Sequence, residues 1–147
     1  MQPAREIEYE IVSKVEYDEF ITVLRNSGLA ERRPVDEPDR IEKMLKHANL
    51  FVTARDKGQL VGVARSLTDF SFICYLSDLA VDKAYQGQGI GRTLMALTKK
   101  HAGCRSILLS APAALDYYKH CGLNALDNAF DFSSLKDDLG EQACSLP

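Results

Sequence analysis

The sequence predicts an α/β domain, and three observations carry that prediction. Near mid-chain an apolar, β-prone run passes through a glycine-rich loop into a helical period; strand and helix patterns alternate on either side of it; and a hairpin signal precedes it. At 147 residues the chain has the size of one domain, so residues 1–147 are expected to fold as a unit, with the polar stretch 133–147 as a frayed or loosely helical tail. Eighteen Lys and Arg stand against 21 Asp and Glu, a net charge of -3, which argues against a broad basic surface for nucleic acid. No apolar run approaches a membrane span, and the opening MQPAREIEYE lacks a signal-peptide core, so the expectation is a soluble, cytoplasmic protein.

In chain order, Tyr9 to Val12 reads as a short strand, and Ser13 followed by Glu16 has the form of a capping box opening a helix. Tyr17, Phe20, Ile21 and Leu24 make its apolar stripe and Gly28 ends it. Leu29 to Glu37 is charged and proline-punctuated, a loop. Pro38 and Asp39 open a second helix with a buried face of Ile41, Met44, Leu45 and Ala48. Asn49 to Arg55 and Gln59 to Ser66 are strands joined by a three-residue loop, Asp56-Lys57-Gly58. Phe72 to Leu76, continued by Leu79-Ala80-Val81, reads as a strand buried on both faces. After the glycine loop comes a helix striped by Ile90, Leu94, Leu97 and His101 and stopped at Ala102-Gly103. Arg105 to Ser110 is the next strand, Pro112 begins another helix that Gly122 closes, and Leu123 to Leu126 with Ala129 to Phe132 form a last hairpin about Asp127-Asn128.

The loop Gln86-Gly87-Gln88-Gly89-Ile90-Gly91 is where chemistry is expected. Alternate glycines allow positive φ and close approach of a ligand to the backbone. The helix start that follows leaves N–H groups unpaired at the positive end of the dipole, which suits an anion such as a phosphate. Spacing separates the rival glycine loops. A dinucleotide fingerprint G-x-G-x-x-G would need glycine at Arg92 or Leu94, and a P-loop would need glycine at Gln86 and lysine at Arg92. Both fail. Gln86, Gly89 and Gly91 fit Q-x-x-G-x-G after a strand ending Leu-Ala-Val, and this resembles the coenzyme A loop of the GNAT superfamily of N-acetyltransferases. Ala114 to Leu123, ALDYYKHCGL, is similar to that family's A-x-x-[FY]-Y-x-x-x-G-[FL] helix, in the same order and at the same separation.

The resemblance implies the order β-α-α-β-β-β-α-β-α-β-β, a mixed sheet with helices on both faces, and acetyl-CoA as cosubstrate. It implies that Leu79, Ala80 and Val81 pair with the pantetheine arm, that a backbone N–H near Val81 meets the oxyanion, and that Gln86, Gly87, Gln88, Gly89, Ile90, Gly91, Arg92 and Thr93 take the pyrophosphate. Tyr118 is implied as the acid for the departing sulfur. Two departures stand out: Tyr75 occupies the place of a glutamate found in histone-type members, and Ala111 that of an asparagine touching the arm. Asp78 is then the one residue near the strand end that could take a proton at neutral pH, although an Asp there more often binds local N–H groups. The acceptor, a small-molecule or peptide amine, would lie between Leu29–Glu37 and Asp127–Phe132, and by analogy the protein would pair as a homodimer. A module of the same fold that binds acyl-CoA without turnover is the alternative.

Neither C-x-x-C spacing nor histidines at ligand intervals accompany Cys74, Cys104, Cys121 and Cys144, so no metal is expected and the cysteines read as reduced thiols. His47 reads as a packed or surface histidine, and a Cys121–His120 pair is disfavoured because adjacent helix residues diverge.

Overall fold

A computed structural model describes residues 5–136, which divide into two compact units at Ala111/Pro112. The expectations for the chain's first four residues, for 137–147 and for Cys144 lie outside the described residues.

The first unit is a five-stranded sheet in sequence order, β1 (Ile7–Val12), β2 (Leu50–Asp56), β3 (Gln59–Thr68), β4 (Ile73–Val81) and β5 (Arg105–Leu108). β1 to β4 are antiparallel neighbours, β2–β3 and β3–β4 through short links and β1–β2 across a long helical connection, and only β4–β5 is parallel, because α3 (Ile90–Ala102) crosses between them. Asp56 pairs with Gln59, so the β2–β3 loop is two residues rather than three. Lys57 and Gly58 both have positive φ, +48° and +85°, the twist-matched turn that a two-residue hairpin requires.

Helices α1 (Tyr17–Ser27) and α2 (Pro38–His47) cover one face of the sheet, where Phe20, Val23, Leu24 and Ile41 pack with Phe51, Leu60, Val63 and Ala80. Ile90 and Leu94 of α3 cover the other, with Val52, Ala54, Val61, Ala64 and Leu76. Helices on both faces and a mixed sheet are as expected. The buried stripe of α3 is Ile90, Leu94, Thr98 and Ala102, a straighter row than the expected one: Leu97 is half-buried and His101 is exposed against the Phe70 ring. Thr98 is tolerated there because its hydroxyl donates to the Leu94 carbonyl at 2.8 Å.

No capping box opens α1. Glu16 is the N-cap, without a side-chain cap, and the buried pair Val15 and Phe20 sits at the flanking and fourth helical positions as a hydrophobic staple. Burial of Val15 fixes the entry, so Ser13 falls one turn too early. Glu19 and Arg55 join α1 to β2 through two parallel bonds of 2.7 and 3.0 Å. Between α1 and α2, a 3-10 turn spans Leu29–Arg32 where a plain loop was expected.

The second unit carries a 3-10 turn at Pro112–Ala114 and α4 (Leu115–His120), closed by Gly122 at φ +86°. The last hairpin does not form: no described residue after Gly122 enters a strand. Asp131 bends the chain instead, its carboxylate accepting from the N–H (2.8 Å) and hydroxyl (2.6 Å) of Ser133, an Asx-type turn that competes with a ladder.

Three described carboxylates lie below their ordinary range, Asp131 through its bonds from Ser133 and two others in the first unit. Glu19 is lowered by the hydrogen bond from Arg55, and Asp69 by backbone N–H donors, first from Phe72, then from Ser71 and Ile73. A depressed folded pKa adds stability above the unfolded value of about 4 that is lost as pH falls through the folded value. Replacing both (Glu19→Gln with Asp69→Asn) should therefore flatten the fall in unfolding temperature between about pH 5 and about pH 2, in thermal melts followed by circular dichroism. An unchanged slope would contradict the assignment.

Candidate active site

Strand β4 is paired with β3 along its length but with β5 only from Ile73 to Leu76; from Ser77 to Val81 its ladder partners all lie on β3. The parting coincides with a bulge. Arg65 of β3 stands opposite Asp78 and Ser66 opposite Leu76, which leaves Ser77 as the extra residue. Inserting one residue changes the parity of the strand: Cys74 and Leu76 are buried on the α3 side, Ala80 on the α1 side. Both faces of the strand therefore meet a core, as expected, with Ala80 on the α1 side and Leu76 and part-buried Leu79 and Val81 on the α3 side. Burial alternates, with Cys74, Leu76, Asp78 and Ala80 buried and their neighbours partly exposed.

Asp78 is fully buried, and a carboxylate in that position needs cationic partners. It has two. Arg65 donates from Nε to Asp78 Oδ2, from Nη2 to Ser77 Oγ (2.9 Å) and from Nη1 to the Met44 carbonyl (3.1 Å). Arg33, arriving from the connection between α1 and α2, donates from Nε to Asp78 Oδ1, from Nη2 to the Ser77 carbonyl (2.8 Å) and from Nη1 to the Arg32 carbonyl (2.8 Å). Each guanidinium thus holds both residues of the bulge. Both carboxylate oxygens of Asp78 are engaged, and none of its surface faces solvent.

Past Val81 the chain is braced before it reaches the glycines. Asp82 donates its N–H to the Val61 carbonyl and caps a short 3-10 turn, Lys83–Tyr85, through Ala84 N–H, both at 2.8 Å. Tyr85 donates its hydroxyl to Asp56 Oδ2 at 2.6 Å, a bond that raises the phenol's pKa, and the Arg5 guanidinium lies 4.2 Å over its ring. Gln86 folds back to donate from Nε2 to the Val81 carbonyl at 2.9 Å, so its side chain shapes the loop and leaves the mouth to the backbone. Gly87 and Gly89 take φ +78° and +83°, with open space where a Cβ would project. Gly89 is the N-cap of α3 and offers no side chain to it, so the N–H groups of Ile90, Gly91 and Arg92 have no acceptor within their helix. Thr93 turns its hydroxyl back to the Gly89 carbonyl (3.0 Å), while Arg92 is exposed.

The placement of that helix start depends on Gly62 of β3, which sequence reading did not single out. A Cβ there would come within 3.2 Å of Ile90 Cγ2 and of Leu94 Cδ1, and within 3.3 Å of Ala54 Cβ. Bare backbone lets α3 descend onto the sheet.

The first unit therefore brings together Asp78, Leu79 to Val81 and Gln86 to Thr93 along β4 and its sequel. Tyr118 lies on α4 of the second unit with its ring edge-on to Tyr117, centroids 5.2 Å apart. Tyr75 is half-buried opposite Leu67 and Ile107, and His47 is exposed at the end of α2. Cys74, Cys104 and Cys121 are free thiols, and no group of three metal-ligating side chains occurs among the described residues. Reading from the sequence did not single out Arg65, and it took Arg33 only as one charge of the connection between the first two helices and Ser77 only as a polar neighbour of Asp78, without their convergence. The signal was there: an arginine inside the run LVGVARS and an aspartate inside YLSDLAV are opposite charges in two apolar neighbouring strands.

Fold and site define an α/β protein whose central strand parts from its parallel neighbour beside an open helix start. Residues 16–123 match the Acetyltransferase (GNAT) family, and the chain belongs to that family. It is 33% identical over 96 residues to the uncharacterized N-acetyltransferase ycf52 of Gracilaria tenuistipitata var. liui, covering 62% of this chain and 53% of that one. It is 33% identical over 72 residues to GCN5-related N-acetyltransferase 2, chloroplastic, of Arabidopsis thaliana, covering 46% of this chain and 28% of that protein. The chain thus spans about half the length of the algal relative and under a third of the plant one. Among solved structures it resembles a GNAT family acetyltransferase of Streptococcus pneumoniae (TM-score 0.67, 20% identity, 86% and 95% of the two chains). It also resembles the aminoglycoside N-acetyltransferase AAC(6')-Iy in complex with CoA (TM-score 0.68, 14% identity, 89% and 96%). At those identities the likeness shows a shared fold.

Gly62→Val should lift the start of α3 and cost about 1–3 kcal/mol in urea unfolding, the usual penalty of an overfilled core. An unchanged midpoint would show that α3 is seated by something else.

Proposed function

We propose that this protein is an acetyl-CoA-dependent N-acetyltransferase that moves an acetyl group to a primary amine of a small molecule or peptide, by direct transfer in a ternary complex. One observation carries the reading: the uncapped start of α3, behind left-handed Gly87 and Gly89, follows directly from the stretch of β4 that β5 leaves unpaired. Backbone N–H groups from Gln88 to Arg92 hold the pyrophosphate, with Arg92 adding charge and the helix dipole favouring the anion. Leu79 to Val81 offer their open edge to the pantetheine arm as a neighbouring strand would. An N–H of the same stretch donates to the oxyanion as the carbonyl becomes tetrahedral. The Tyr118 phenol, carried over from the family resemblance, gives its proton to the departing thiolate. The algal and plant relatives, both N-acetyltransferases by name, and the CoA held by the aminoglycoside enzyme support the choice of donor.

The amine must lose a proton before it attacks; Asp78 is enclosed by two guanidiniums, and Tyr75 stands in the glutamate's place. Deprotonation then goes through solvent. For a lysine-like acceptor, kcat/KM should keep rising with pH toward the amine's own pKa of about 10.4, with no plateau near neutrality. The acceptor is read as a small or peptide amine because structural neighbours include an aminoglycoside acetyltransferase in complex with sisomicin. No described helix is long and apolar enough to cross a membrane, and a cytoplasmic site of action, a homodimer and one catalytic domain over residues 1–147 belong to the same reading. The sealed Asp78 also favours a second reading, a module that binds acyl-CoA without turning it over.

Calorimetric titration with acetyl-CoA should show binding, and release of free thiol should follow on adding amines from a panel. Tyr118→Phe should then lower kcat about 100-fold with cofactor affinity kept. Absent binding removes the proposal, and binding without turnover across the panel selects the second reading.

A further inference from the structure

The Arg33–Asp78–Arg65 trio is more elaborate than burial of one carboxylate needs. A single guanidinium would neutralise Asp78, yet two converge on it, and neither stops there: Arg65 continues to the Ser77 hydroxyl, Arg33 to the Ser77 carbonyl. All four of these bonds fall on the two residues of the bulge. One guanidinium comes from the residue facing the bulge across the ladder, the other from a different part of the chain. Buried ion pairs add little net stability, because desolvation offsets their attraction, but they hold a geometry well. Here the geometry held is the extra residue that ends the β4–β5 ladder. Without it, Ser77 would be the next residue of β4 to pair in parallel with β5.

We propose that Arg33, Arg65 and Asp78 are positioning residues that lock the Ser77 bulge, keep Leu79 to Val81 parted from β5, and so aim the β4 backbone donor at the reacting carbonyl. The last part rests on the acetyltransferase reading; the lock itself does not. Arg33 is the accessible member, its side chain 22% exposed against 0% for Asp78, and it ties the α1–α2 connection to the strand. Its planar fork is what bridges a carboxylate oxygen and a backbone carbonyl at once; an ammonium carries the charge without the bridge. Loss of the fork therefore frees the Ser77 carbonyl, and loss of the charge as well, in Arg33→Met, leaves Asp78 on Arg65 alone.

The test uses Arg33→Met and Arg33→Lys in the full chain. In the unliganded protein, amide hydrogen exchange across residues 76–82 should quicken at least about tenfold in both variants, while exchange in α3 stays as it was. Arg33→Lys, which still compensates Asp78, should melt within about 4 °C of the parent, yet its kcat should fall about 10- to 100-fold, as in Arg33→Met, because a displaced donor loses transition-state contact. Unchanged or slower exchange over 76–82 overturns the lock. A kcat restored by lysine, or exchange that quickens throughout the unit, overturns positioning in favour of plain stabilisation. If the parent neither binds nor turns over acetyl-CoA, the acetyltransferase reading falls while the exchange result still decides the lock.

Discussion

A carboxylate sealed inside the sheet and held by two guanidiniums sets the course of everything around it. Asp78 could not be buried alone, since an unpaired charge in the interior costs several kcal/mol even after relaxation. Its partners are bound to the same spot where β4 gains a residue. The bulge turns Leu76 toward α3 and Ala80 toward α1, so one strand serves both cores. It also brings the strand to Val81 with one edge open, the course from which the loop to α3 departs. Remove the charges and the residues beyond Leu76 have no reason to change face.

The glycines contribute in two physically different ways. Gly87 and Gly89 are needed for their backbone angles, because nothing crowds the positions where their side chains would be. Gly62 has ordinary strand angles and is needed for its emptiness, since a methyl there would strike Ile90 and Leu94. The first pair shapes a turn; the other sets how deeply a helix sits. Together they place three uncapped N–H groups at the end of a loop whose earlier half is held by Asp82, Tyr85 and Gln86.

Local signals in the sequence were reliable wherever the cause was local. Gly28, Gly103 and Gly122 end their helices in left-handed conformations, Pro38 starts α2, and the change of period around residues 79–95 is the β4–α3 unit. Errors came where distant residues decide. The Ser13 cap lost to burial of Val15, which depends on the sheet beneath it. The segments Leu123 to Leu126 and Ala129 to Phe132 about Asp127-Asn128 suggested a hairpin, but Asp131 took Ser133 as its partner and turned the chain. The surroundings of Asp78 escaped the reading for the same reason: Arg33 is 45 positions away, and no window along the chain contains both.

The contact between Arg5 and Tyr85 reaches further than its size suggests. Arg5 covers the aromatic face and donates to the Ala84 carbonyl, so two contacts tie the segment leading into β1 to the turn before the glycine loop. A polypeptide trimmed past Arg5 would uncover that face and cut the tie while leaving the loop's own glycines intact.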